Sequence, residues 1–185
     1  MSGRNFRYTP FYCEENIWHL AQAECFRGLD AFVVIISGEG DYRRLWFQSL
    51  AVDQESPVFW DYHVLLLVFN SGWQVWDLDT TLGLPVTAET YFQKTFLNSS
   101  IDLDNCDVIL RLIASGSYVQ SFSSDRSHMK SSTGEWLAPP PEWPAILNES
   151  KSNLLEWLDV DRDGPGQVQT LSEMMGMFLT PWPIP

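Results

Sequence analysis

The chain is short of the features that would narrow its function at a glance. It has three cysteines in 185 residues, an odd and sparse count that cannot support a disulfide framework. Lysine and arginine number 11 against 24 aspartates and glutamates, and the resulting net charge of -13 argues against nucleic acid as the main partner. No apolar run approaches the roughly 20 residues of a membrane-spanning helix. The first ten residues, Met1 to Pro10, lack the apolar stretch of a secretory signal. There is no glycine-rich phosphate loop and no internal repeat. His19, His63 and His128 show no metal-ligand spacing with the cysteines, so neither metal nor cofactor is expected. What remains is an intracellular protein with free thiols.

What is present argues for a folded globule. The apolar fraction is 45% and there are nine tryptophans. At this length, one domain over residues 1–185 is expected.

The most informative stretch runs from Val58 to Thr80. Its first half is apolar, β-branched and aromatic, with His63 at its mouth. Asn70-Ser71-Gly72 is turn chemistry, with a glycine free to take positive φ. The second half leaves the turn as a strand and ends in Asp77-Leu78-Asp79. The pattern predicts a β-hairpin whose first strand is buried on both faces. If residues 70–72 form a three-residue loop, Phe69 faces Trp73 and His63 faces Asp79. Asp77 then faces Leu65, one pleat along on the face of His63. Any odd loop length keeps His63, Asp77 and Asp79 together, and an even one separates them. The hairpin therefore offers an imidazole beside a carboxylate, without choosing between the two aspartates. Such pairs are common structural elements; a nucleophile elsewhere is needed to read catalysis into this one.

Cys13 is a candidate for that nucleophile. From Cys13 the pattern turns helical, with glutamates in the first turn and Ile17, Leu20 and Ala21 on one face. A cysteine at a helix start has dipole and N–H groups that favour its thiolate, and the same groups can hold an oxyanion. The alternative, a small buried hydrophobe, weighs about equally for Cys13. It is the better reading for Cys25, on a continuing helix, and for Cys106, in an acidic stretch.

Along the rest of the chain, Ala31–Ser37 reads as a strand, Gly38–Asp41 as a turn and Tyr42–Val52 as a second strand with solvent-facing Arg43 and Arg44. Helices are expected over 88–97, 117–122, 153–158 and 172–179, and strands over 108–113 and 167–171. Asp125–Lys130 reads as a solvated polar loop, and the proline- and tryptophan-rich stretch 134–144 as a loop packed on its own domain. The loop at 161–166 lacks the ligand ladder of a calcium site.

Several of these segments together resemble one family. Tyr12-Cys-Glu-Glu-Asn-Ile-Trp18, Trp60-Asp-Tyr-His-Val64, Asp77-Leu-Asp-Thr80, Ser124-Asp-Arg-Ser-His-Met-Lys130, the prolines at 139–141 and Thr170-Leu-Ser-Glu173 look like the N-terminal glutamine amidohydrolases. The resemblance covers nearly the whole chain in order; the last residues, Pro-Trp-Pro-Ile-Pro, do not map. It implies an α+β fold, an α-β-α sandwich with a mostly antiparallel central sheet related to the papain and transglutaminase cores. It implies a hydrolase that converts an N-terminal glutamine side chain to glutamate and releases ammonia, through a catalytic triad of Cys13, His63 and Asp77. Here the resemblance chooses Asp77 over Asp79. The implied partners are peptides and proteins with a free N-terminal glutamine. The enzyme is expected to be a monomer of the cytoplasm, with a nuclear role, feeding arginylation and degradation.

The substrate's α-ammonium needs a carboxylate or carbonyl partner, and Glu14, Asp61 and Asp125 are the candidates. Two rivals stand beside this reading: a peptidase or transglutaminase sharing the triad, and a non-enzymatic binding module using the aromatic surface and the proline-rich loop.

Overall fold

The computed structural model describes residues 6–38, 40, 42–96, 108–148 and 151–179. The strands are β1 (Asp30–Gly38), β2 (Arg43–Leu45), β3 (Val58–Trp60), β4 (His63–Phe69), β5 (Trp73–Trp76), β6 (Val86–Thr87), β7 (Val108–Ala114) and β8 (Gln167–Thr170). The helices are α1 (Cys13–Ala21), α2 (Ala88–Phe96), α3 (Ser115–Ser121), α4 (Leu154–Leu158) and α5 (Leu171–Leu179). Six strands form one sheet in the order β6-β5-β4-β1-β7-β8, with every ladder antiparallel. β2 and β3 form a separate two-stranded sheet.

The near-continuous apolar strands are buried on both faces because each face carries its own core. In β1, Val33 and Ile35 join one apolar cluster, and Val34 and Ile36 the other. In β4, Val64, Leu66 and Val68 pack with Ile17 and Leu20 of α1, Tyr118 of α3 and Trp157 of α4. Leu65 and Leu67 pack with Tyr91, Phe92 and Phe96 of α2 and Met174 of α5. The protein is thus α+β, with helices on both sides of an antiparallel sheet. No helix of the described residues is long and apolar enough to cross a membrane.

The hairpin closes through residues 70–72. Phe69 pairs with Trp73, Asn70 N–H donates to Gly72 O at 3.0 Å, and Ser71 and Gly72 take φ of 56° and 146°. The continuous segment expected from Val58 is broken, however. Val58–Trp60 belongs to the small sheet, and β4 begins afresh at His63.

The remaining differences have identifiable physical causes. The expected strand 42–52 stops at Leu45, and Phe47 follows in the left-handed region at φ 57°. Arg43 is buried, with its two terminal guanidinium nitrogens donating to the Tyr42 and Gly40 carbonyls at 2.8 Å; Arg44 is exposed as expected. Helix α1 ends at Ala21, so Cys25 lies on a separate 3-10 turn, Glu24–Phe26, half-buried against the core. The turn at 38–41 lies partly outside the described residues, as do Cys106 and the final Pro-Trp-Pro-Ile-Pro wholly.

Candidate active site

Helix α1 sets the position of Cys13. The lead-in is pinned by Asn16, whose side chain accepts from Thr9 N–H and donates to Thr9 O, both at 2.9 Å. Phe11 turns through φ 69°, and Tyr12 caps the helix so that Cys13 is its first residue. Cys13 is buried, with Sγ 3.7 Å from Glu14 Oε2, and the amide of Val64, the residue after His63, is directed at it. Burial pushes the Cys13 thiol up, and the nearby Glu14, Asp79 and Asp61 carboxyls push the same way; the Val64 N–H opposes them.

His63 opens β4 and is fully buried, stacked on the Trp60 indole with centroids 5.0 Å apart. Its Nε2 lies 2.9 Å from Asp77 Oδ1, and its Nδ1 has no hydrogen-bond partner among the described residues. Burial disfavours the imidazolium, but the Asp77 carboxylate outweighs it and raises the histidine above its ordinary value. Asp77 follows the last paired residue of β5. Its Oδ1 also accepts from Asp79 N–H at 2.9 Å, and its Oδ2 accepts from Tyr91 at 2.7 Å and Gln48 at 3.2 Å. Burial alone would raise this carboxyl; His63 and the converging donors instead hold it below the ordinary carboxylate range.

Asp79 lies on the same face, as an odd loop requires, but is spoken for differently. Its Oδ1 accepts from Tyr8 at 2.6 Å, and burial raises it. His63, Asp77 and Asp79 each offer a ligand atom within 4.8 Å of the others, a grouping the histidine–cysteine spacing did not reveal. The donors around Asp77 are O–H and N–H groups that occupy both of its oxygens, which is the chemistry of a hydrogen-bonded pair more than of a metal seat.

A cleft of about 440 Å³ opens beside these residues, lined by Cys13, Phe11, Trp60, Asp61, Tyr62 and Met129 among others. Asp61 is exposed at its wall, capping the amide of Tyr62 at 2.9 Å. Glu14 is fully buried behind Tyr62, whose hydroxyl donates to its Oε2 at 3.1 Å. Asp125 is exposed, caps Ser127 N–H at 2.9 Å, and stands apart from the cleft wall.

The segment 125–130 is not a solvated loop. Arg126, at φ 61°, is buried and binds both Glu15 oxygens at 2.7 Å, while also donating to Trp143 O at 2.9 Å. Trp143 Nε1 donates to the same Glu15 at 2.7 Å. The proline- and tryptophan-rich loop therefore packs on its own chain, as expected. The latch carries His128 Nε2 to 3.2 Å from the Tyr62 hydroxyl. The sequence reading missed Tyr91 and Gln48 as donors to Asp77, Tyr62 as part of the cleft wall, and, as the partners of Tyr62 and Glu15, His128 and Arg126. The Asp-Arg-Ser-His-Met-Lys block was the one signal that could have marked the last two.

Residues 8–178 match the family model for N-terminal glutamine amidase. The protein N-terminal glutamine amidohydrolase of Homo sapiens is 39% identical over 179 residues, covering 92% of this chain and 87% of its own length. That of Danio rerio is 37% identical over 186 residues, with 96% and 91% covered, and that of Drosophila melanogaster 35% over 179 residues, with 92% and 87%. A match of this extent, to the model and to its relatives alike, means that the chain belongs to the N-terminal glutamine amidase family.

Proposed function

We propose that this protein hydrolyses the side-chain amide of an N-terminal glutamine, giving glutamate and ammonia, with Cys13, His63 and Asp77 as nucleophile, base and orienting carboxylate. The observation that carries the residue assignment is the His63–Asp77 contact of 2.9 Å, with Nδ1 left unpartnered at the strand end that receives the first turn of α1.

The thiol proton of Cys13 passes to His63 Nδ1, and the sulfur attacks the amide carbon. Backbone N–H groups at the start of α1 stabilise the oxyanion; one such donor is typically worth about 3–4 kcal/mol. His63 returns the proton to the departing ammonia. It then takes a proton from water, whose oxygen displaces the sulfur from the thioester. Asp77 keeps Nε2 protonated throughout.

Of the three candidates for the α-ammonium, Asp61 is the best sited, since it lines the cleft with Cys13. Glu14 is walled off by Tyr62, and Asp125 stands outside. The reach from the α-nitrogen of glutamine to its amide carbon, four single bonds, is at most about 5 Å. That span sets glutamine apart from asparagine, whose carbonyl falls one methylene short of the sulfur. The same reading includes a papain- or transglutaminase-like core over residues 1–185, acting without cofactor as a monomer in cytoplasm and nucleus.

Cys13→Ser is expected to abolish ammonia release from a Gln-initiated peptide while leaving the circular dichroism spectrum unchanged. Asn-initiated and acetyl-Gln peptides are expected to be inert with the unsubstituted protein. Full activity in the variant ends the proposal. Chain cleavage in place of a gain of about one dalton turns it into the peptidase reading.

A further inference from the structure

Glu14 takes no part in the chemistry above, yet its Oε2 is 3.7 Å from the nucleophilic sulfur. Its side chain is fully buried, and among the described residues Oε1 has no hydrogen-bond partner. Among the described residues its one neighbour at ion-pair range is His128, whose Nε2 is 3.6 Å from Oε1, too long for a hydrogen bond. Burial also lowers His128, so that it stays neutral. Arg126, the nearby guanidinium, is occupied by Glu15. The other groups facing Glu14 add no cation. Tyr118 of α3 donates to its backbone carbonyl at 3.1 Å. Tyr62 donates to Oε2, and Glu15 and Asp61 contribute only negative charge. His63, the remaining titratable group, is committed to Asp77. An uncompensated carboxylate so placed costs several kcal/mol, so the group keeps its proton.

We propose that Glu14 is a further catalytic residue: held as a carboxylic acid, it donates a hydrogen bond to the Cys13 thiolate once the thiol proton has passed to His63. The S–H bond breaks, an N–H bond forms at Nδ1, and the carboxyl proton stays on Glu14 while turning toward sulfur. The Tyr62 O–H, donating to the same Oε2, fixes the carboxyl rotamer. Burial pushes Glu14 up to about 8, which agrees with a neutral acid under ordinary conditions. Once ionised, the same group sets an anion against the thiolate and weakens the nucleophile.

The proposal rests on Cys13 being the nucleophile, but its test needs no substrate. Alkylation of Cys13 by iodoacetamide is followed by mass spectrometry of the Cys13 peptide, in the unsubstituted protein, Glu14→Gln and Glu14→Ala. At pH 6.5 Glu14→Gln should react within about threefold of the unsubstituted protein, since its amide N–H replaces the carboxyl donor. Glu14→Ala should be at least about tenfold slower, the loss of one hydrogen bond to a charged group. At pH 9 Glu14→Gln should outpace the unsubstituted protein about tenfold or more, one pKa unit of thiol acidity. A Glu14→Gln protein that tracks the original at pH 9, or reacts as slowly as Glu14→Ala at pH 6.5, overturns the proposal. If the variants do not fold, infrared spectroscopy of the unsubstituted protein decides. A protonated-carboxyl C=O band that titrates away near pH 8 is expected, and its absence is equally fatal. Failure of the amidase reading shows separately, as no ammonia from Gln-initiated peptides.

Discussion

Asp77 and Glu14 flank the same centre, and both are buried to 1% exposure or less. Asp77 accepts four hydrogen bonds, one from an imidazole, and lies below the ordinary carboxylate range. Glu14 accepts from its own backbone N–H, one hydroxyl and one thiol, the nearby Arg126 guanidinium is taken up by Glu15, and burial pushes Glu14 up to about 8. Burial is common to both, so burial does not decide their charge. The donors that converge on each carboxyl decide it. Under the proposed mechanism the contrast separates labour at the site: one carboxylate steadies a cation on the base, while the other stays neutral beside a developing anion.

The sharpest way to break this contrast is to remove the charge of Asp77. Asp77→Asn keeps the shape but loses the anion that steadies the His63 imidazolium. We expect kcat to fall by about 10³–10⁴-fold, the scale on which an orienting carboxylate acts in a triad. Steady-state ammonia release measures it. A loss of less than tenfold would mean that Asp79, on the same face, can take over the role.

The next effect concerns the neighbours Glu14 and Glu15. They are adjacent on one helix, yet only Glu15 has a guanidinium, with both Arg126 contacts at 2.7 Å. Arg126→Ala leaves Glu15 buried and uncompensated, with a cost of about 3–5 kcal/mol. For a chain of this length that is a fall in Tm of roughly 10 °C. Calorimetry should find it. A change within 2 °C would show that Trp143 alone satisfies Glu15.

These pairs also mark how far the sequence could be read. Glu14 and Glu15 are indistinguishable in a string, because both suit the first turn of a helix. Their difference comes from Arg126, 111 residues away along the chain. A polar run such as 125–130 has the same composition whether it faces water or folds onto an acidic helix start. The hairpin was legible because period-two patterning, Asn-Ser-Gly and parity are local properties. They brought His63, Asp77 and Asp79 onto one face but left the aspartates tied. In space His63 pairs with Asp77, and Tyr91 of α2 and Gln48 of an irregular loop donate to that same carboxylate. Arg43 was misread for the opposite reason. A buried guanidinium is rare, and although a turn was expected at 38–41, nothing in the pattern aimed the carbonyls of Gly40 and Tyr42 at Arg43.

The most direct measure of the contrast needs neither substrate nor nucleophile. Between pH 4.5 and about 8 the folded protein holds a proton on Glu14 that the unfolded chain has released. The native state binds more protons there, so this group lowers the unfolding free energy as pH rises, by about 1.4 kcal/mol per pH unit. Its contribution is largest below the unfolded value and is lost through the folded one. Asp77 runs the other way. Its folded value is depressed, so its stabilisation is present above about pH 4 and is lost only as acid titrates the native carboxylate. Urea titrations from pH 5 to 8 should therefore show Glu14→Gln with a flatter stability profile than the unsubstituted protein, and with greater stability at pH 8. The two proteins should keep parallel acid limbs below pH 4, where Asp77 dominates. Parallel profiles above pH 5 would mean that Glu14 is ionised in the folded state, and the two carboxyls would then differ in surroundings but not in charge.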